Sequence, residues 1–258
     1  MKKKDLKPKI SVLMVVNNEE KKIIKSIRSV LNQNFNKFEM LIFDNNSTDK
    51  TKFFLRNLTK DEKKIKVFYS KKNLGITKAL NFLIKKTESK VIARIDGDDY
   101  WNINKLRIQY PFFKLSNKNI VGTNSYYLKN DKIYSSSNLP IYNKEIRNKL
   151  IYSNPFIHSS IIFNKRFFKS YNPEYLKCQD YDAWLRLSLN KHLKFKNIKR
   201  KLTYIDLSKP LSFLSAINDI KIRYKHLKHL TLLKSTFSFT YIFISIFKLF
   251  YKVIINKK

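Results

Sequence analysis

Three carboxylates fall within four residues at Asp96-Gly97-Asp98-Asp99, directly after the apolar Val91-Ile92-Ala93. Carboxylates this close in a partly desolvated place repel one another, and a divalent cation removes the conflict. Hard oxygen ligands suit Mg2+ or Mn2+, which keep open positions for water and phosphate. Asp96 and Asp98 are therefore candidate metal ligands, with Gly97 letting the backbone turn tightly between them. The same residues also fit an exposed acidic turn in which Asp99 caps the next helix. A second group lies downstream. His158 sits in Asn154-Pro155-Phe156-Ile157-His158-Ser159-Ser160, and Cys178-Gln179-Asp180-Tyr181-Asp182-Ala183-Trp184-Leu185-Arg186 follows. Asp180 and Asp182 open an amphipathic helix; two Asp residues there also suit the helix macrodipole with no further role. A histidine such as His158 also reads as a structural residue of a strand.

These side chains need elements to position them. Ile10–Val16, Phe38–Asp44, residues 65–70 and residues 91–95 read as buried strands. They alternate with helical spacing over 21–32, 50–58 and 76–86. Short strand-helix-strand connections imply right-handed crossovers and a parallel sheet with helices on both faces, and such sheets bind ligands beyond the carboxyl ends of their strands. Polar residues gather at those ends: Asn17-Asn18, Asp44-Asn45-Asn46, Asn73-Leu74-Gly75 and the acidic cluster. Asp44 suits a hydrogen bond from a base or ribose, or a plain turn. Asn73 and Gly75 suit a turn whose helix N-terminus faces phosphate, or a plain cap. Beyond Asp99 the pattern predicts helices over 104–115, 143–152 and 180–190, and strands over 120–128, 132–134, 157–163 and 193–205.

The net charge of +35 invites a nucleic-acid reading. Only nine of the 54 basic residues are Arg, whose planar fork specific nucleic-acid readers favour, so no nucleic-acid partner is expected. A solvated surface or an anionic membrane surface accounts for the charge instead. The single cysteine, Cys178, excludes an internal disulfide framework and fits a reducing compartment. The N-terminus does not read as a signal peptide. Residues 237–247 are apolar and aromatic, interrupted afterwards by Lys248 and Lys252, and short of the roughly 20 residues a span needs. Ile242, Phe243, Ile246, Phe250 and Ile254 repeat near helical spacing, as in an interfacial helix or a helix packed on the domain. The expected location is cytoplasmic, peripheral at the cytoplasmic face of the plasma or inner membrane.

Taken in order, these segments resemble the family 2 glycosyltransferases, inverting enzymes of the GT-A fold. The resemblance runs from about Ile10 to Arg186 and includes Ser29-Val30-Leu31-Asn32-Gln33, Asp44 to Asp49, Asn73 to Asn81, Ala93 to Asp99 and Lys105-Leu106-Arg107-Ile108-Gln109. Val15 and Asn17 stand where the family carries Pro and Tyr, and Asn46 where it carries Gly. The resemblance implies an α/β fold, a Rossmann-like, mixed but mostly parallel sheet flanked by helices. Residues 1–210 would form the catalytic domain, its donor half about 8–100 and its acceptor half about 101–210, followed by a helical extension over 211–258. It implies a nucleotide-sugar donor, a UDP-sugar first, held by Val16, Asn18, Asp44, Asn46, Asn73, Gly75, Arg94, Asp96 and Gly97. Mn2+ or Mg2+ would sit on Asp96 and Asp98, with Asp98 the direct ligand. Asp180 would be the catalytic base, with His158, Asp182, Trp184 and Arg186 on the side of a glycan or lipid-linked acceptor. Two rivals share some features. A sugar-phosphate nucleotidyltransferase would show a Gly-rich phosphate loop near the first strand, yet no glycine precedes Gly75. A non-enzymatic basic membrane- or nucleic-acid-binding protein explains the charge but not the polar strand ends.

Overall fold

The structure is a computed structural model describing residues 7–60, 62–115, 120–208 and 213–226. Its first strands, β1 (Ile10–Val16) and β2 (Phe38–Asp44), are buried along their whole length. A strand buried on both faces needs cover on both. The connecting helix α1 (Ile23–Leu31) turns Ile23, Ile27 and Val30 to one face of the sheet, and α2 (Thr51–Thr59) adds Leu55 there. After β3 (Ile65–Tyr69), α3 (Ile76–Lys86) covers the other face with Ala79, Leu80, Leu83 and Ile84. The chain then enters β4 (Val91–Arg94). Residues of β1 alternate between the two cores: Leu13 and Val15 on the α3 side, Val12, Met14 and Val16 on the α1 side.

The second half extends the same sheet. In order come β5 (Tyr100–Trp101), α4 (Lys105–Leu115), β6 (Ile120–Lys129), β7 (Lys132–Ser136), α5 (Asn143–Leu150), β8 (Ile162–Asn164), α6 (Gln179–Ser188), β9 (Phe195–Asp206) and α7 (Phe213–His226). The sheet order is β3-β2-β1-β4-β8-β6-β9-β5, with β7 paired to β6. β1 to β4 are mutually parallel, β8 runs antiparallel to β4 and β6, and β6 is parallel to β9. The expected mixed, mostly parallel α/β sheet is what the chain forms.

Two local expectations are corrected. Residues 157–163 are not one strand: His158–Ser160 form a 3-10 turn and only Ile162–Asn164 pair as β8. The Ser160 hydroxyl and amide both donate to the Ile157 carbonyl, at 2.8 and 2.9 Å, and this local bonding displaces the ladder. Asp99 does not cap a helix but accepts from the Asp206 amide at 3.0 Å. The two-residue β5 follows it, pairing antiparallel with β9. No helix among the described residues is long and apolar enough to cross a membrane. The stretch 237–254, read as an interfacial or packed helix, lies outside the described residues.

Asn46, which stands where the resemblance expects glycine, adopts φ 66° in the left-handed region. Asn tolerates that region far better than a residue with an ordinary Cβ branch. Asn46→Ala should therefore cost about 1 kcal/mol, while Asn46→Gly should change stability little. Urea midpoints at constant m-value check both.

Candidate functional site

Asparagines at the strand ends stitch the three loops after β1, β2 and β3 together. Asn17 Nδ2 donates to the carbonyls of Asn45 and Asn46, at 3.0 and 3.2 Å. Asn18, at φ 57°, accepts the Thr48 amide on its Oδ1 at 2.8 Å. Asn45 bridges outward, donating to Asn73 Oδ1 and accepting from the Leu74 amide, both at 2.8 Å. Asn73 Oδ1 also accepts the Gly75 amide at 2.9 Å, and Gly75 turns into α3 at φ 76°. Asp44 lies beneath these loops, fully buried. Its Oδ1 accepts from the Ser47 amide and hydroxyl, while its Oδ2 has no hydrogen-bond partner among the described residues. The nearest cation to Oδ2 is Lys52 Nζ, 3.9 Å away.

The acidic cluster caps β4. Arg94, 1% exposed, forms an ion pair with Asp96 from below. The Ser159 hydroxyl accepts the Asp96 amide and donates to Asp96 Oδ2, both at 3.0 Å. Burial works to raise the Asp96 carboxyl, but Arg94, His158 and Ser159 outweigh it and hold it below the usual range. Asp99 behaves oppositely: burial and the charges of Asp96 and Asp98 push it well above the carboxylate range. Gly97 is fixed by crowding. A Cβ there would stand 2.7 Å from Val16 Cγ1 and 3.1 Å from Glu19 Cγ.

Asp180 enters from the first turn of α6. It is half-buried and accepts from Asn154 Nδ2 at 2.7 Å. His158 Nε2 meets the buried Tyr171 hydroxyl at 2.9 Å. Burial lowers this imidazole to about 4, with Arg94 acting the same way and Asp180 and Asp96 opposing. Asp182 and Trp184, though in the same helix, turn inward. Trp184 is fully buried among Phe156, Phe163 and Phe168, and Asp182 pairs with Arg186 and His226. Exposed Arg186 donates onward to the Ser170 carbonyl at 2.9 Å. These three hold α6 in place.

One cleft of about 760 Å³ gathers Val16, Asn73, Gly75, Asp96, Gly97, Asp98, His158 and Asp180. Asn18, Asp44, Asn46 and Arg94 are not among its lining residues and act beneath or beside it; neither are Asp182, Trp184 and Arg186. The sequence reading missed Glu19, Leu176, Lys177, Asp206 and Leu214, which also line it. Asp206 had a readable signal, a carboxylate at the end of a strand that pairs with the sheet. Leu176 and Leu214 had none, because neither lies in a patterned strand end. Ser159 was quoted only as a neighbour of His158, yet it is the side chain that grips Asp96.

Among the described residues no group of three or more His, Cys, Asp or Glu side chains is set to hold a metal unaided. Mg2+ and Mn2+ commonly bind through one or two carboxylates, with waters and substrate phosphates completing the shell. The cluster fits that mode. Asp96 commits one oxygen to Arg94 and the other to Ser159, and Asp98 lines the cleft beside it.

The glycosyl transferase family 2 pattern matches residues 11–171, and the chain belongs to that family. A Haemophilus influenzae protein described as an uncharacterized glycosyltransferase is 25% identical over 199 residues, covering 70% of this chain and 60% of its own length. The chain thus spans less than two thirds of that relative. An Escherichia coli UDP-Glc:alpha-D-GlcNAc-diphosphoundecaprenol beta-1,3-glucosyltransferase is 27% identical over 178 residues, 69% of either protein. The crystal structure of S. aureus TarS 1–349 superposes with a TM-score of 0.71 at 18% identity, covering 93% of this chain and 72% of that one. At that identity the likeness establishes the fold, which is GT-A.

The depressed His158 makes a stability prediction. An unfolded histidine titrates near 6.5 and the folded one near 4, so between these values the unfolded chain binds more protons. Stability is then full above about pH 6.5 and falls as pH drops toward about 4. His158→Asn should flatten that part of the stability curve, measured by urea titration at stepped pH.

Proposed function

We propose that the chain transfers a sugar from a nucleotide-sugar donor, UDP-linked first among candidates, to a hydroxyl of a glycan or lipid-linked acceptor in cell-surface polysaccharide synthesis, inverting the anomeric carbon. The observation that carries this reading is that the acidic end of β4 and the Asp180 carboxylate of α6 line one cleft. The Escherichia coli relative, which uses a UDP-sugar and a lipid diphosphate acceptor, supports the substrate classes.

Glycosyl transfer passes through an oxocarbenium-like state while negative charge grows on the departing diphosphate. A bound Mn2+ or Mg2+ would supply Lewis-acid stabilisation of that charge. Asp98 would hold it, and Asp96 would remain ionised beside it through Arg94 and Ser159. Val16, Asn73, Gly75 and Gly97 shape the donor's part of the cleft with backbone and small side chains. Asp44 and the Asn18 and Asn46 loops fix that surface from behind. Asp180 takes the proton from the acceptor hydroxyl as its oxygen attacks the anomeric carbon. Asn154 aims one oxygen of that carboxylate and leaves the other to the acceptor. His158 borders the acceptor's path, while Asp182, Trp184 and Arg186 hold the helix that presents Asp180.

A panel of UDP- and GDP-sugars, with and without Mn2+, should give nucleotide release that depends on acceptor and is lost with EDTA. Absence of release with every sugar would sink the reading. Asp180→Asn should lower kcat roughly 10²- to 10⁴-fold and leave UDP affinity nearly unchanged. Asp98→Asn should instead weaken Mn2+-dependent UDP binding, read by calorimetry; binding equal to the parent protein would reject Asp98 as the ligand.

A further inference from the structure

Helix α6 leaves a turn that is unusual for its sequence. Cys178 occupies its N-cap position at φ 59°, ψ 17°, the left-handed region, and supplies no side-chain cap. Non-glycine residues other than Asn, Asp and His seldom adopt that conformation, and they persist in it where surrounding contacts over-determine them. Asp180 lies two residues further on, so the direction in which its carboxylate points is set by this turn.

The contacts that hold the turn come from α7. Asn218, buried to 5% exposure, donates through Nδ2 to the Lys177 carbonyl at 3.1 Å. The Cys178 thiol donates to the Ser215 carbonyl at 3.3 Å. One turn further along α6, Asp182 Oδ1 meets His226 Nε2 at 3.1 Å. Ile222, fully buried, joins the core that contains Tyr181 and Trp184. α7 therefore grips the residues before and after Asp180, and its own Leu214 lines the same cleft. Burial pushes the Cys178 thiol up to about 12, with Asp180 and Asp219 adding to the effect. This thiol therefore serves here as a hydrogen-bond donor.

We infer that α7 is the positioning element of the acceptor side: Asn218 and the Ser215 carbonyl hold Cys178 in its left-handed turn and so aim Asp180 into the cleft. The inference rests on the reading of Asp180 as the base. It assigns Asn218 a role in turnover without contact with donor, acceptor or the reacting atoms. The donor contacts proposed above lie on the strand ends of the first half, whereas these hydrogen bonds of α7 run to α6 and the turn before it, so losing them acts on kcat.

The test uses the full chain. Asn218→Ala should lower kcat for the fastest donor of the panel about tenfold, because a misaimed base loses the near-attack geometry. The donor KM and the affinity for UDP with Mn2+ should stay as they were. Hydrogen exchange should quicken about tenfold over residues 177–182, a local opening, with β1 and β4 unaffected. On a Cys178→Gly background the same substitution should cost under about threefold, since glycine holds the left-handed turn unaided. His226→Gln, at the far end of α7, is the second variant and should also reduce kcat without changing KM. Unchanged kcat and exchange in Asn218→Ala overturn the inference, as does a parallel loss of kcat and UDP affinity. An equal loss on the glycine background also overturns it. Transfer by Asp180→Asn would instead sink the reading of the base, and the exchange measurement, which needs no substrate, would still decide whether α7 holds the turn.

Discussion

Asp96 stands at the end of a buried strand with a guanidinium beneath it and a serine hydroxyl closed against its side, and much of the second half of the fold serves that arrangement. A carboxylate in such a place stays ionised only if its partners outweigh its desolvation. Arg94 supplies charge, and Ser159 grips both the Asp96 amide and its Oδ2. Ser159 has its own support. Trp101 Nε1 donates to the Ser159 carbonyl at 2.8 Å, and Gln109 Nε2 donates to the Ser160 and Val121 carbonyls at 2.7 and 2.6 Å. Lys105 completes the chain, its ammonium donating to Gln109 Oε1 at 2.6 Å and packing 4.0 Å from the Trp101 ring centroid. Burial holds Lys105 well below the ordinary lysine range. The Lys105 to Gln109 segment thus reaches the cleft through three layers of partners while touching nothing in it.

The two carboxylate positions are held by different physics. The side proposed for the donor is fixed mostly by parallel strands in register, asparagine bridges between neighbouring loops, and Gly97 packed against Val16. Ser26 Oγ donates to the Gly97 carbonyl at 2.7 Å and locks that contact from α1. The side proposed for the acceptor is fixed by side chains brought from far along the chain, with Asn154 on Asp180 and His226 on Asp182. A surface of the first kind tolerates little change in shape. One of the second kind depends on partners in α7 and in the 154–178 segment, as the proposed acceptor side of a transferase would need if acceptors differ.

The first half was legible because its information is local. Buried strands read as apolar runs, and their polar ends follow directly in sequence, so Ile10–Val16 and Phe38–Asp44 fall on their predicted bounds and the cluster after Val91 lies in the cleft. The fold class followed from the same alternation. Asp180, singled out through resemblance more than through pattern, also lines the cleft. The failures share one cause, dependence on distant partners. Nothing near Tyr100 signals that two residues pair with β9. The serines of His158–Ser160 look like strand residues until their hydroxyls find partners. Asp182, Trp184 and Arg186 sit in the same motif as Asp180, but a helix turns successive residues about 100° apart. Motif membership therefore said nothing about which of them faces the cleft.

Charge completes the account. The chain carries a net +35, yet the cleft is lined by Glu19, Asp96, Asp98, Asp99, Asp180 and Asp206. Many lysines lie over aromatic rings away from it, such as Lys25 at 4.1 Å from Tyr100, Lys196 at 4.3 Å from Tyr142 and Lys201 at 5.3 Å from Tyr126. Their ammonium groups rest over the ring faces as cation–π contacts. Such a surface draws anions from a distance, within the few ångströms that salt leaves unscreened. It would do little for a diphosphate at the cleft floor, where six carboxylates stand beside Lys177 and the buried Arg94 already pairs with Asp96. The long-range field and the local field thus have opposite signs. In the proposed reaction a cation held at Asp98 would reconcile them, turning the acidic floor from a barrier against the donor into its binding site.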